Sequence, residues 1–187
     1  MKHRITLLMA LVGAMVFSQS VWAQDHDGSV TLDDGNTIYY NFHGDRITIC
    51  APANETWNGF NMPVGDLVIP ASITHQGVSY PVTDIEPEAF KNCIDITSVI
   101  IPNSVNYISH NAFFECFDIT SLTIGSSVID ISNGAFSYCS ALEEIHFRSA
   151  NPPTLNGTAF YELDDVPVYV PCGSLLNYPE IKKWKWK

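Results

Sequence analysis

Three stretches of the chain say nearly the same thing: AFKNCIDITSVIIPNSV at 89–105, AFFECFDITSLTIGSSV at 112–128 and AFSYCSALEEIHF at 135–147. The step is 23 residues, and it holds for Ala89, Ala112 and Ala135, for Phe90, Phe113 and Phe136, and for Cys93, Cys116 and Cys139. Ile85, Ile108 and Ile131 keep it too, and Val82, Val105 and Val128 open each unit. A weaker fourth unit carries Ala159 and Phe160 one residue late and closes on Val168, Val170 and Pro171, while GDLVIP at 65–70 resembles the end of a unit that lacks its front half. Apolar residues at fixed offsets with a period of this size are the signature of a solenoid, whose coils each contact only their neighbours.

Within the second unit the inward positions are expected to be Val105, Ile108, Ala112, Phe113, Cys116, Ile119, Leu122 and Ile124. Leu122 and Ile124 alternate with Ser121 and Thr123, the period of a strand, and SVII at 98–101 and EIHF at 144–147 do the same. Pro102, Gly125 and Pro171 stop these strands where the coil must turn. In the Ala-Phe step the small residue lets neighbouring backbones approach and the ring fills the space between layers. Ordering each residue costs about 1–2 kcal/mol, more than one coil's own apolar contacts return. The expected fold is therefore a mainly β solenoid: parallel strands stacked from 23-residue coils, joined by short irregular or 3-10 returns.

The flanks divide the rest. Residues 1–23 read as a signal peptide, with basic MKHR, apolar ITLLMALVGAMVF and a small-residue end at Val21 and Ala23, cut between Ala23 and Gln24. Its apolar run is too short for a transmembrane anchor, which needs about 20 residues. Residues 24–66 do not repeat and read as an N-terminal β cap, a hairpin in which Ile38, Tyr40 and Phe42 share a face and the chain turns at His43-Gly44-Asp45. The repeats span 67–171, with a second hairpin inserted at 71–81 that turns at Gln76-Gly77. Residues 172–187 form the C-terminal cap, where Trp184 and Trp186 are expected to cover the last coil, although exposed contact aromatics are the other reading.

Charge narrows the partners. Without the leader the chain keeps 7 of its 9 Lys plus Arg and all 20 Asp plus Glu, a formal charge of −13. Four of those bases, Lys182, Lys183, Lys185 and Lys187, sit at the extreme C-terminus. An acidic body argues against nucleic acid, whose phosphates need clustered bases. The hydrophobic fraction of 46% is that of a chain with a core. Cys93, Cys116 and Cys139 share one repeat position and read as an inward column of free thiols, because coils about 4.8 Å apart hold Cβ atoms too far apart for disulfides. Cys50 and Cys172 lie near opposite ends of the array. No Cys or His spacing suits a metal, and no cofactor is expected.

Catalysis finds no support in the motifs. Glu143 and Glu144 are adjacent, so on a strand they diverge instead of facing each other across a substrate. There is no G-x-S-x-G elbow, phosphate loop or H-E-x-x-H, and no nucleophile matches the pair Glu144 and His146.

The pattern Ile-x-x-x-Ala-Phe-x-x-Cys-x-x-Leu/Ile-x-x-Val/Leu/Ile-x-Ile-Pro, carried by Ile85, Ala89, Phe90, Cys93, Ile96, Val99, Ile101 and Pro102, resembles the BspA-like class of bacterial leucine-rich repeats. GDLVIPASITHQGVSYPVTDIEPEAF and VYVPCGSLLNY resemble that class's opening and closing segments. Gly125 departs from the pattern's Pro, and Leu163 falls where a fourth Cys would be. The resemblance implies a leucine-rich-repeat solenoid that is secreted or held at the outer cell surface and recognises a protein or glycoprotein, such as host matrix or mucosal protein. The alternative is a structural spacer or self-associating scaffold. A monomer is expected, without a transmembrane anchor.

A strand sheet in a solenoid offers one long concave surface. The outward column expected on it runs Val68, Ile100, Thr123, His146 and Tyr169, flanked by Ser98, Ser121 and Glu144 and then by Thr97, Thr120 and Glu143. Ile100 and Tyr169 are an aliphatic and an aromatic on a face that should be wet, and such groups anchor partners. Glu143, Glu144, His146 and Arg148 add a charged end. Ile100, Thr123, Glu143, Glu144, His146, Arg148 and Tyr169 are accordingly the candidate ligand contacts, though β propensity alone also accounts for such positions.

Overall fold

The computed structural model describes residues 26–53, 56–163 and 165–178. The leader expected at 1–23, with its cut at Ala23, lies outside them, as do Trp184, Trp186 and the terminal lysines. The chain starts with β1 (Gly28–Thr31), β2 (Thr37–Phe42) and β3 (Ile47–Cys50), continues through β4 (Gly65–Val68), β5 (Ser72–His75) and β6 (Val78–Ile85), and then alternates longer and shorter strands. These are β7 (Ile96–Ile100), β8 (Tyr107–Ile108), β9 (Ser121–Ile124), β10 (Asp130–Ile131), β11 (Glu144–Phe147), β12 (Thr154–Leu155) and β13 (Val168–Tyr169), followed by a 3-10 turn at Leu175–Asn177.

Stacking of the coils turns this alternation into two ladders. The longer strands form a parallel sheet in the order β4-β7-β9-β11-β13. Its register steps by one coil: Ile100 pairs with Thr123, Thr123 with His146, and His146 with Tyr169. The shorter strands pair in parallel as β6-β8-β10-β12, with Ile85, Ile108, Ile131 and Leu155 aligned. This second ladder sits in the returns that the sequence reads as irregular. Its strands are only two residues long from β8 onward, too short for alternation to reveal. Antiparallel β1, β2 and β3 extend the same sheet through parallel pairing of β3 with β6. The insertion folds as the antiparallel β5–β6 pair, turning at Gln76 and Gly77, both with positive φ as such a tight turn requires.

The turns between the ladders are bonded coil to coil as well. The N–H groups of Glu88, Phe90 and Asn92 donate to the carbonyls of His110, Ala112 and Phe114 at 3.1, 2.7 and 2.9 Å. One coil on, Asn111, Phe113 and Glu115 donate to Asn133, Ala135 and Ser137 at 3.1, 2.7 and 3.0 Å. The outer members of each trio, Glu88, Asn92, Asn111, Glu115, Gly134 and Tyr138, all have positive φ. That conformation is costly for a residue with Cβ, and it accompanies N–H groups aimed along the stack at the next coil.

Side chains fill the middle. All eight inward positions expected in the second unit, from Val105 to Ile124, are buried. Phe90 stacks on Phe113 at 4.9 Å and 14°, Phe113 on Phe136 at 5.1 Å and 6°, and Phe136 on Phe160 at 5.2 Å and 10°. Trp57, from the non-repeating segment, continues the file by stacking on Phe90 at 6.1 Å and donating its indole N–H to the carbonyl of Ala89 at 2.9 Å. Beside the rings runs the thiol column. Cys116 Sγ donates to the carbonyl of Phe90 at 3.0 Å and Cys139 Sγ to that of Phe113 at 3.3 Å. Burial pushes the Cys139 thiol up to about 12. Gly125, which replaces Pro, is buried because the chain passes close there: a Cβ would lie 2.2 Å from the carbonyl oxygen of Pro102. Past the last coil, Tyr178 is buried beside Phe147 and donates its hydroxyl to the carbonyl of Ser149 at 2.8 Å.

Candidate functional site

Because side chains alternate across a strand, burying Leu122, Ile124, Ile145 and Phe147 turns Ser121, Thr123, Glu144 and His146 outward. The register then brings equivalents from successive coils side by side. Val68, Ile100, Thr123, His146 and Tyr169 form one outward column, as the spacing implies, and Asp66, Ser98, Ser121 and Glu144 form the next. Val68 is half exposed.

Toward the C-terminal end the two columns border a hollow of about 520 Å³, lined by Ser121, Thr123, Glu144, His146, Arg148 and Tyr169 together with strand-end residues. The His146 and Tyr169 rings lie face to face, 4.5 Å apart and 9° from parallel. His146 Nε2 stands 3.3 Å from Glu144 Oε2, two residues away on the same strand face. Ser121, one strand over, donates its hydroxyl to Glu144 Oε1 at 3.1 Å. The carboxylate is thus held between a hydroxyl and an imidazole. Arg148 stands just past β11, tied by its N–H to the carbonyl of Ile124 at 2.9 Å, and adds a cation at the rim. Both members of the Glu144–His146 pair are well exposed, so the contact orients the imidazole and contributes only about 0–1 kcal/mol to stability.

Not every candidate joins this hollow. Ile100 keeps its place in the column but lies two strands from His146. Glu143 precedes β11, exposed, with its N–H on the carbonyl of Thr120 at 2.8 Å, and it does not line the hollow. Val170 and Pro171 also line it, although from sequence their apolar character reads only as the end of a strand. At the opposite end the face is polar again, where Ser98 and Thr97 donate to Asp66 Oδ1 at 2.7 and 3.3 Å.

Such a face offers shape, an aromatic pair, a charged cluster and two aliphatic groups along one row. Residues 70–172 match the model of the BspA type leucine rich repeat region in 6 copies. The chain belongs to the BspA-type leucine-rich repeat family. Among solved structures it is similar to a leucine-rich repeat protein from Bacteroides ovatus ATCC 8483, at 26% identity and a TM-score of 0.53 over 71% of this chain. The alignment covers 36% of that longer protein. A leucine-rich repeat protein from Bacteroides capillosus ATCC 29799 aligns over 76% of this chain and 98% of its own at 23% identity, with a TM-score of 0.55, and shares the fold. No curated protein matches the chain. Membership of the BspA-type family points to a protein-interaction or surface-repeat module, and family members are characteristically scaffolds rather than enzymes. Among the described residues no helix is long and apolar enough to cross a membrane.

Proposed function

We propose that the protein is a secreted or cell-surface binding module that recognises a protein or glycoprotein, of the host-matrix or mucosal kind, through the outward face of its five-stranded sheet. The observation that carries this reading is the column itself. The strands place Ile100, Thr123, His146 and Tyr169 in one hydrogen-bonded row, and its far end opens into the hollow rimmed by Glu144 and Arg148. A partner laid along the row meets an aliphatic group, a hydroxyl, a stacked aromatic pair and paired charges in sequence. Aromatic and Arg anchors with a polar surround are the usual composition of a binding hot spot. The site functions without catalysis, as a monomer, and without nucleic acid.

The test is a binding screen of the purified protein against matrix proteins and mucins, repeated with Ile100→Asp and Tyr169→Ala. Capture by at least one of these ligands that weakens in both variants is the expected result. A clean negative across the panel removes the adhesion reading. A concentration-dependent oligomer in size-exclusion chromatography with light scattering would replace it by a self-associating scaffold.

A further inference from the structure

The turn segments form columns of their own, set by the coil-to-coil hydrogen bonds. Lys91, Phe114, Ser137 and Tyr161 occupy one; Asn92, Glu115, Tyr138 and Glu162 occupy the next; Glu88, Asn111 and Gly134 occupy a third. In the first two coils a charged pair and an amide span these columns. Lys91 Nζ lies 2.9 Å from Glu88 Oε2 and 6.0 Å from the centre of the Phe114 ring, and Asn111 donates to Glu88 at 3.5 Å. The third coil breaks all three columns at once. Gly134 and Ser137 are smaller than their counterparts, and Tyr138 puts a ring where the other coils have Asn or Glu.

The result is a hollow of about 500 Å³ on the turn face, within the range of small-ligand pockets, roughly 300–1,000 Å³. Phe114 and Tyr161 wall it, and both stand nearly perpendicular to Tyr138, at 5.3 Å and 77° and at 5.6 Å and 71°. Tyr138 and Tyr161 are well exposed, so the rings are available to a ligand. Gly134 opens the floor, since a Cβ there would sit 2.2 Å from Asn111 Oδ1. The polar lining is made of side-chain amides, hydroxyls and one imidazole, including Asn111, Asn133, Thr158 and His110, with no Asp, Glu, Lys or Arg.

We propose that this groove is a second binding site, distinct from the strand face, which takes a short uncharged oligosaccharide. A sugar ring presents a C–H face and an edge of hydroxyls. Three rings in alternating orientation meet the first, and amides and hydroxyls that both donate and accept meet the second. An uncharged ligand enters without desolvating a charge that nothing in the lining would pair. An acidic sugar meets repulsion instead, because Glu162 stands beside Tyr161 and accepts its phenolic hydrogen, raising the phenol's pKa. The position of Tyr138 is itself informative. It has φ 62°, a conformation that disfavours a bulky side chain, and the equivalent residue of the first coil is Asn92 at φ 61°. Glu115 and Glu162 share this backbone conformation in their own coils, at φ 58° and 64°, so Tyr138 is the one ring of its column, and it lies outside the buried core and exposed.

The experiment titrates the purified protein with cellotriose, maltotriose, triacetylchitotriose and N-acetyllactosamine, with sialyllactose as the charged comparison, using calorimetry and ligand-observed NMR. At least one uncharged probe is expected to bind with Kd on the order of 0.1–1 mM. Tyr138→Asn should weaken that binding by about tenfold or more while leaving the unfolding midpoint unchanged or higher. Gly134→Asn, which refills the floor, should weaken it similarly. Ile100→Asp should leave it unaltered, so that failure here and failure of the strand-face reading are separable. The proposal is overturned if no uncharged probe binds below about 10 mM, if sialyllactose binds as tightly as the uncharged probes, if Tyr138→Asn folds and binds undiminished, or if Ile100→Asp abolishes binding.

Discussion

The two sides of one set of strands contrast sharply. On the inner side Val99, Leu122, Ile145 and Val168 are all aliphatic and almost completely buried. On the outer side the neighbouring column reads Ile100, Thr123, His146 and Tyr169, a different chemistry in each coil. Both rows are set by the same backbone register. Inside, each residue must fit between identical layers at crystal-like density, so one solution repeats. Outside, the backbone demands only a residue that tolerates a strand, which leaves composition free to encode recognition.

The widest gap between the two sides is expected for truncations. Phe113→Ala, which removes a ring stacked on both neighbours, should destabilise the protein by about 3–5 kcal/mol. Thr123→Ala on the wet face should stay within about 0.5 kcal/mol; urea unfolding measures both, and similar values would erase the contrast. Glycines sharpen it at the backbone. Gly125→Ala drives a Cβ into the carbonyl of Pro102 and should cost about 1–3 kcal/mol. Gly157→Ala, whose Cβ meets nothing within 4 Å, should be neutral within about 0.5 kcal/mol.

The thiol column adds a pH dependence of its own. Burial raises the Cys139 thiol from 9.0 to about 12, so between these values the unfolded chain releases a proton that the native chain keeps. The native state then holds more protons, and stability falls as pH rises through this window, by up to about 1.4 kcal/mol per pH unit for each such thiol. Thermal unfolding between pH 8 and pH 12, the range that brackets this shift, should show the decline, and Cys139→Ala should lessen its slope by that one thiol's share, since burial raises the Cys50, Cys93 and Cys116 thiols as well. Exposed Cys172 should react with a thiol reagent in the native protein, while Cys116 and Cys139 react only on unfolding. Tyr169→Ala should cost no more than about 1 kcal/mol. If that variant unfolds at much lower urea than the parent, Tyr169 belongs to the core and not to the recognition row.

Most of the repeat region was legible because its periods are long and its apolar positions recur. The Phe file, the buried thiols and the outward column follow from offsets, and the Gln76-Gly77 turn follows from the hairpin pattern of the insertion. Trp57 was not, since it enters the ring file from a segment that does not repeat. Nor was β1, a four-residue strand with no strong alternation, or the ladder of two-residue strands in the returns. Of the candidate contacts, spacing gives the columns, but only the structure gathers Thr123, Glu144, His146, Arg148 and Tyr169 around one hollow and leaves Glu143 and Ile100 outside it. That depends on where β11 begins and on how far the rim reaches.

By itself, the sequence determined which residues go inside and that equivalent residues 23 apart become neighbours, because apolar burial acts on pattern and a repeated pattern has one periodic solution. Only the tertiary structure decided where the surface opens. A hollow is a property of several coils together, as when Gly134, Ser137 and Tyr138 replace larger or differently shaped counterparts between Phe114 and Tyr161. Its walls come from side chains on three separate coils, and no single stretch of chain contains their distances.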